Sequence, residues 1–272
     1  MCGDSTKAED VSKLMNGEQA DLWLTDPPYN VDYSAKNAYL NKLDGGNRVE
    51  KDIEHDKMSD AEFKQFLTKA FTAAQNAMRN GAAYYIWYAS KEHRNFMDAL
   101  ADAGLGIRQE LIWKKNMFVL GRMDYQPIHE PCLYGWKEGA AHYFISSRNR
   151  TTVYSDEEEI DIDKMKKSEM QKLLHDILDN RTPTSVINCP KPSKSADHPT
   201  MKPVRLFGYQ MANSSLPGQI ILDTFGGSGT TIVAAEQLGR KARLMEIDPK
   251  YCDVIIARWE KLTGQKAIKL NE

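Results

Sequence analysis

The apolar positions of this chain fall into two kinds of pattern, short continuous runs and helix-spaced stripes, and the two kinds alternate. Leu22-Trp23-Leu24 is a short run that reads as a strand ending near Thr25. Ser59 and Glu62 then form a capping-box pair. Phe63, Phe66, Leu67, Ala70, Phe71, Ala74 and Met78 follow at helical spacing before Gly81. Residues 82–88 are continuously apolar and strand-like, residues 91–103 read as a helix closed by Gly104, and residues 107–113 read as the next strand. Between residues 116 and 143 the pattern shifts to short strands with glycine turns, and the stretch from Ile128 to Trp136 is expected as an antiparallel hairpin at the sheet edge. Further on, a helix runs from Pro203 to about Ser214. A strand over 220–223, a helix over 232–238 stopped at Gly239 and a strand over 244–248 complete the series. Strand, helix, strand repeated in this way predicts an α/β fold, a mostly parallel sheet with helices on both faces.

Two polar segments interrupt that alternation. Residues 31–57 are rich in Asn, Lys, Gly and Asp and read as a long surface loop with the length of a lid. Residues 146–200 hold Arg148 and Arg150, an acidic run over 156–163, then Lys164, Lys166 and Lys167, and a short helix over 168–180 with Leu173, Leu174, Ile177 and Leu178 inward. This stretch is expected to be a subdomain inserted in a single 1–272 domain. Its charge runs are either solvated faces or basic contacts for a nucleic acid. At 272 residues, 41% hydrophobic and 27% charged, the chain has an ordinary globular composition. The net charge of −2 and pI near 6.3 exclude a polycation, so any nucleic-acid contact has to come from local basic patches. Cys2, Cys132, Cys189 and Cys252 are scattered without a Cys-x-x-Cys, and the histidines lack metal-ligand spacing. No metal site is expected, and a reducing compartment is. Without an apolar signal core or a membrane-length run, the expected location is the cytoplasm.

The candidate chemistry sits where two of the predicted strands end. After Leu22-Trp23-Leu24 comes Thr25-Asp26-Pro27-Pro28-Tyr29-Asn30. Proline has no amide hydrogen and a fixed φ, so the pair stiffens the turn and leaves the Pro27 carbonyl free to accept from a ligand. Asp26 and that carbonyl together suit an amino group bearing two hydrogens, with Tyr29 as a stacking face for the ring that carries it. The same residues also suit a plain Pro-Pro turn capped by an aspartate. The second end is Ile220-Ile221-Leu222-Asp223, followed by the glycine turn Phe225-Gly226-Gly227-Ser228-Gly229-Thr230-Thr231. Glu246 follows Gly226 by 20 positions, the spacing at which βαβ nucleotide sites place an acid on the ribose hydroxyls; the bland reading is a strand-end acid capping the helix at Pro249. No lysine stands in Walker A position, and His129-Glu130 lacks the second histidine of a zincin. The two ends together point to an adenosyl ligand without phosphates, and S-adenosylmethionine is the natural choice.

In these motifs and their order the chain resembles the amino-group DNA methyltransferases, which methylate adenine N6 or cytosine N4, in the permuted arrangement called the β class. Asp26 to Tyr29 comes first, a middle region of roughly 115–197 stands where that class reads its target, and His198-Pro199-Thr200-Met201-Lys202-Pro203 and the glycine turn follow. The Gly-Asp-Ser start, the His-Glu-Pro turn and the Glu-Ile-Asp-Pro stretch are similar to those of phage and prophage modification methylases. The resemblance implies an S-adenosylmethionine-dependent, Rossmann-like sheet in circularly permuted order with an inserted target-recognition region. It also implies double-stranded DNA as partner and a target base flipped from the duplex. Asp26, Pro27, Pro28 and Tyr29 become the catalytic set. Asp4, Thr200, Lys202, Asp223, Phe225, Gly226, Gly227, Gly229, Thr230 and Glu246 become the cofactor set. Lys114, Lys115, Arg122, Arg148, Arg150, Lys191 and Lys194 are the candidate phosphate contacts. Asp rather than Ser at the first motif position favours adenine over cytosine. The alternatives are cytosine N4, an RNA or protein methyltransferase, usually marked by Asn-Pro-Pro-Tyr, and a non-catalytic DNA-binding module. No covalent intermediate is implied, so Cys132 and Cys189 have no nucleophilic role. A homodimer and a cognate restriction enzyme are both left open by the resemblance.

Overall fold

A computed structural model describes residues 1–31, 41–42, 45, 57–115, 124–146 and 202–270, with the backbone of 186–188. In chain order the elements are α1 (Ala8–Met15), β1 (Ala20–Thr25), α2 (Asp60–Ala77), β2 (Met78–Trp87), α3 (His93–Asp102), β3 (Ile107–Lys114), β4 (His129–Trp136), β5 (Val186–Asn188), α4 (Val204–Ser214), β6 (Ile220–Asp223), α5 (Thr230–Gln237), β7 (Lys241–Leu244) and α6 (Pro249–Thr263). They build one seven-stranded sheet of order β5-β3-β4-β2-β1-β6-β7. β1 pairs in parallel with both β2 and β6, β6 with β7 and β3 with β5, while β4 runs antiparallel between β2 and β3.

Side-chain alternation along the central strands creates two cores. Trp23, Tyr84, Ile86 and Leu222 point to the layer built by α1, α2 and α3, where they meet Met15, Phe63, Phe71 and Phe96. Leu22, Leu24, Tyr85, Trp87 and Ile221 point the other way, to α4 and α5, where they meet Leu206, Phe207, Met211 and Ala234. A strand covered on both faces is continuously apolar, and that is why the runs in β1, β2 and β6 carried the fold class. The capping box of α2 is present: the Ser59 hydroxyl accepts from the Glu62 amide while the Glu62 carboxylate accepts from the Ser59 amide at 3.1 Å.

Two expectations need correction. The hairpin strand from His129 is antiparallel, but it lies inside the sheet with β2 and β3 as neighbours, and β5 takes the edge. Its residues 131–135 are all buried, as an interior position requires. The strand expected over 244–248 is β7, Lys241–Leu244. As the outermost strand on its side it tolerates Lys241 and Arg243, so no apolar run marks it. Beyond it Glu246 turns off to bridge Cys2 of the N-terminus. Most of the 31–57 loop and the helix expected over 168–180 lie outside the described residues. Among the described residues no helix is long and apolar enough to cross a membrane.

The strand order reverses direction at β1: the chain continues from β1 through α2 to β2 on one side, and β6 and β7 are added later on the other. In open α/β sheets a crevice forms at the carboxyl ends of the strands at such a point. Asp26 to Tyr29 leaves β1 there, and the glycine turn leaves β6 beside it.

Candidate active site

The two strand ends are tied to each other by the Thr25 hydroxyl, which donates to Asp223 Oδ1 at 2.8 Å. From there Pro27 is buried and the motif bends back through Asn30, whose φ of 52° places it in the left-handed region that asparagine tolerates. Asn30 is held by paired bonds to the Met58 backbone, 2.7 Å to its amide and 3.0 Å to its carbonyl. The turn is therefore fixed at both ends before any ligand arrives. Among the described residues nothing donates to the Pro27 carbonyl.

Around Asp26 the structure gathers four charges. The Lys202 ammonium lies 2.7 Å from each Asp26 oxygen, 2.9 Å from the Tyr29 hydroxyl and 3.0 Å from Glu130 Oε2. Tyr29 donates its hydroxyl to Asp26 Oδ1 at 2.7 Å, and Lys115 pairs closely with Glu130 Oε1. The order Lys115, Glu130, Lys202, Asp26 alternates in sign and sums to zero. Only 4% of the Lys202 side chain and 7% of Lys115 reach solvent, against 23% of Asp26 and 21% of Glu130. Charges this buried persist only when paired, and removing one partner of such a pair costs about 3–5 kcal/mol.

The two carboxylates are not equivalent. Burial pushes both upward, but Glu130 answers to two ammoniums, Lys202 and Lys115, which outweigh burial and pull it down to about 2. Asp26 answers to Lys202 alone and has Glu130 as a like-charged neighbour, so burial wins and its carboxyl sits above the ordinary aspartate value. Tyr29 is raised well above the usual phenol value, first by burial and then by the Asp26 and Glu130 charges, and it stays a donor at neutral pH. The Lys202 ammonium is held above its ordinary value by the two carboxylates, against burial.

The β6 end is built differently, from backbone. Asp223 is 2% exposed and fully engaged: Oδ1 accepts from Thr25 and from the Phe225 amide at 3.1 Å, and Oδ2 accepts from the Thr231 hydroxyl at 2.5 Å. It shapes the turn rather than facing the crevice, and burial raises it to about 6. The Gly226 amide donates to Met245 at 2.8 Å, and Gly229, at φ 81°, caps α5 from a conformation that disfavours any side chain. A Cβ on Gly229 would stand 3.1 Å from Ile255 Cγ1; one on Gly227 would meet nothing within 4 Å. Glu246 accepts from the Gly227 amide at 2.8 Å through Oε2 and from the Asp248 amide at 3.0 Å through Oε1, and burial raises its carboxyl. Asp4 accepts from the amide and hydroxyl of Thr6 at 2.9 and 2.7 Å, a local turn ahead of α1, whose N-cap is Lys7. Phe225 is half-buried against the Phe66 ring.

Of the expected site residues, Asp26, Tyr29 and Lys202 come together at one end, and Asp223, Phe225, the glycines, Thr230 and Glu246 at the other. Lys202, expected in the cofactor set, lies with the first group. Its ammonium enters the carboxylate cluster, and only its carbonyl reaches α5, accepting from the Thr230 hydroxyl at 3.2 Å. Lys115 is likewise unavailable to a phosphate, because burial and the Glu130 pair consume it. Lys114 is exposed on β3. Arg122, Arg148, Arg150, Lys191, Lys194 and Thr200 lie outside the described residues. Glu130 was missed as a site residue; an acid opening the apolar run Pro131 to Tyr134 was the available signal, because an acid so placed needs a cation. Among the described residues no group of His, Cys, Asp and Glu is arranged for a metal ion.

A family model described as DNA methylase, that of the N6/N4 methyltransferases, matches residues 20–258, a span that takes in both strand ends. The chain belongs to this family. It is 26% identical over 263 residues to the DNA adenine methyltransferase YhdJ of Escherichia coli strain K12, covering 95% of this chain and 82% of that protein. Over 253 residues it is 24% identical to the type II methyltransferase M.HinfI of Haemophilus influenzae, covering 92% of this chain and 66% of that one. Among solved structures, M1.HpyAVI in complex with SAM superposes with a TM-score of 0.60 at 18% identity, covering 95% of this chain and 97% of the other. The cytosine-N4-specific PvuII DNA methyltransferase superposes at 0.62 with 13% identity, covering 97% and 89%. The likeness to these structures is one of fold.

Proposed function

We propose that this chain transfers the methyl group of S-adenosylmethionine to the N6 amine of an adenine in double-stranded DNA. The observation that carries the reading is the carboxylate of Asp26 with the Pro27 carbonyl, which meets no donor among the described residues, at the end of β1, one hydrogen bond away from the strand end that opens the glycine turn of β6. The residues present fit the cofactor. Open space over Gly227, a glycine-capped helix N-terminus and a half-buried carboxylate on Glu246 suit an adenosyl group whose ribose hydroxyls donate to that acid. When bound, S-adenosylmethionine supplies an electrophilic sulfonium methyl.

The protein's own task is to make a poor nucleophile attack it. The lone pair of a base amine is delocalised into its ring. Asp26 and the Pro27 carbonyl, by accepting the two amine hydrogens, draw them out of plane and localise that pair towards the methyl. Holding the reactants so is the main device, and positioning of this kind reaches effective molarities of about 10⁵ M or more. After transfer the amine nitrogen carries a positive charge until it loses a proton. Asp26, raised by burial, is the nearest base to receive it. Tyr29 offers a face on which the extruded base stacks, offsetting the few kcal/mol lost on flipping.

We assign residues 115–197, apart from the strands β4 and β5 that this span gives to the sheet, to target recognition, and Lys114, Arg122, Arg148, Arg150, Lys191 and Lys194 to phosphate contacts, because the stretch stands where the resembling class reads its target and these side chains are candidate cations in and beside it. The aspartate at the first motif position and the adenine specificity in the name of the YhdJ relative support adenine. The test is to incubate the protein with methyl-labelled S-adenosylmethionine and unmethylated duplex DNA, digest to nucleosides and separate them. Label in N6-methyladenine, recovered as its 2′-deoxynucleoside, is the expected result. Label in N4-methylcytosine would keep the mechanism and overturn the base, and absence of label from several DNA sources would overturn the reading.

A further inference from the structure

The Lys202 ammonium has three hydrogens and faces four acceptor atoms: both Asp26 oxygens at 2.7 Å, the Tyr29 hydroxyl at 2.9 Å and Glu130 Oε2 at 3.0 Å. One acceptor is in surplus. Asp26 Oδ1 also receives the Tyr29 hydroxyl, whereas Oδ2 has Lys202 as its partner among the described residues. An incoming base amine therefore finds Oδ2 guarded by the ammonium, and chemistry needs that oxygen released.

We propose that Glu130 is a positioning residue for methyl transfer: it draws the Lys202 ammonium off Asp26 Oδ2, so that this oxygen accepts the target amine. With Glu130 present, Lys202 withdraws from Oδ2 and still satisfies all three hydrogens on Oδ1, the Tyr29 hydroxyl and Glu130. Without it, withdrawal strands a buried N–H. Glu130 is anchored for the task by Lys115 on its other oxygen, so it accepts the shared ammonium without moving. Among the described residues the titratable groups that face Asp26 are Lys202 before α4, Glu130 and Cys132 on β4, Tyr29 on its own turn and Asp223 at the end of β6, while Lys115 after β3 acts on Glu130. The stronger hold of two ammoniums on Glu130 than of one on Asp26 is in keeping with this direction of handover.

The inference rests on the proposed methyl transfer, and the experiment separates the two. Single-turnover transfer of labelled methyl to DNA is measured across pH for the wild type, Glu130→Gln, Lys202→Met and the double variant. Glutamine offers one acceptor oxygen where Lys115 and Lys202 need two. Glu130→Gln is expected to slow transfer about tenfold or more, the effect of a stranded buried donor. The acid limb of its profile moves to lower pH, because Asp26 loses a like-charged neighbour. Lys202→Met moves the limb to higher pH. In the Lys202→Met background Glu130→Gln costs less than about twofold, because Glu130 acts through Lys202. Additive losses, or a slower Glu130→Gln with an unmoved limb, overturn the inference and leave the methyl-transfer reading standing. A wild type that labels no DNA overturns both. Should Glu130→Gln fail to fold, Glu130→Asp, which keeps the charge at a shorter reach, carries the test: intermediate transfer with the wild-type limb is expected, and a shifted limb overturns the proposal.

Discussion

The ends of β1 and β6 lie side by side, tied by the Thr25–Asp223 bond, and the acids there are held in opposite ways. At β1, Asp26 is held by side chains, the distant Lys202 and Tyr29 of its own turn, which on the proposed function must make way for the target amine. At β6, Asp223 is held by the Thr25 and Thr231 hydroxyls and the Phe225 amide, and beyond β7 Glu246 is held by the Gly227 and Asp248 amides, so both carboxylates are fixed in advance. On the proposed function, the difference follows chemical duty. An end that activates a nucleophile needs groups that exchange partners; an end that only binds gains from rigidity, since prior order lowers the entropy lost on binding.

That contrast breaks most visibly at Asp26. Asp26→Ala is expected to lower single-turnover transfer by about 10³-fold or more, as for other groups that act on the reacting centre. Next comes Asp223, whose carboxyl lies near 6 in the fold against an ordinary 3.8. A raised acid favours the fold while protonated, so its contribution is full below about pH 4 and is lost as pH rises through 6, a change of roughly 3 kcal/mol. Urea unfolding at pH 4.5 and 7.5 should show about 2 kcal/mol of this fall in the wild type and a flatter response in Asp223→Asn. Glu246→Gln keeps one acceptor for two backbone amides, and cofactor affinity measured by equilibrium dialysis is expected to weaken by about 10- to 100-fold. Smallest is Gly229→Ala. The positive φ and the 3.1 Å approach to Ile255 predict a loss of about 1–2 kcal/mol in thermal unfolding.

The same division explains what could be read from the amino-acid sequence. The glycine turn, the α2 capping box and the end of β1 announce themselves within a few residues, because turn, cap and strand are local consequences of local chemistry. The pairing of Lys202 with Asp26 spans 176 positions, and Lys115 meets Glu130 only because β3 and β4 run antiparallel. No spacing rule contains either contact. The interior place of β4 was hidden for the same reason: a hairpin fixes its own register, whereas its second neighbour, β2, is set by how the whole sheet assembles. Strand β7 was misplaced because an outermost strand needs little apolar sequence, and Leu244 to Ile247 supplied more of it than the strand itself.

The claim that one strand end does chemistry while its neighbour does binding is tested most directly by measuring labelled S-adenosylmethionine affinity and methyl transfer on the same preparations of Asp26→Ala and Glu246→Gln. The account predicts that Asp26→Ala binds the cofactor within about twofold of the wild type yet transfers nothing measurable, while Glu246→Gln binds weakly and transfers once the cofactor is saturating. Equal loss of cofactor affinity in both variants, or transfer surviving in Asp26→Ala, would contradict it.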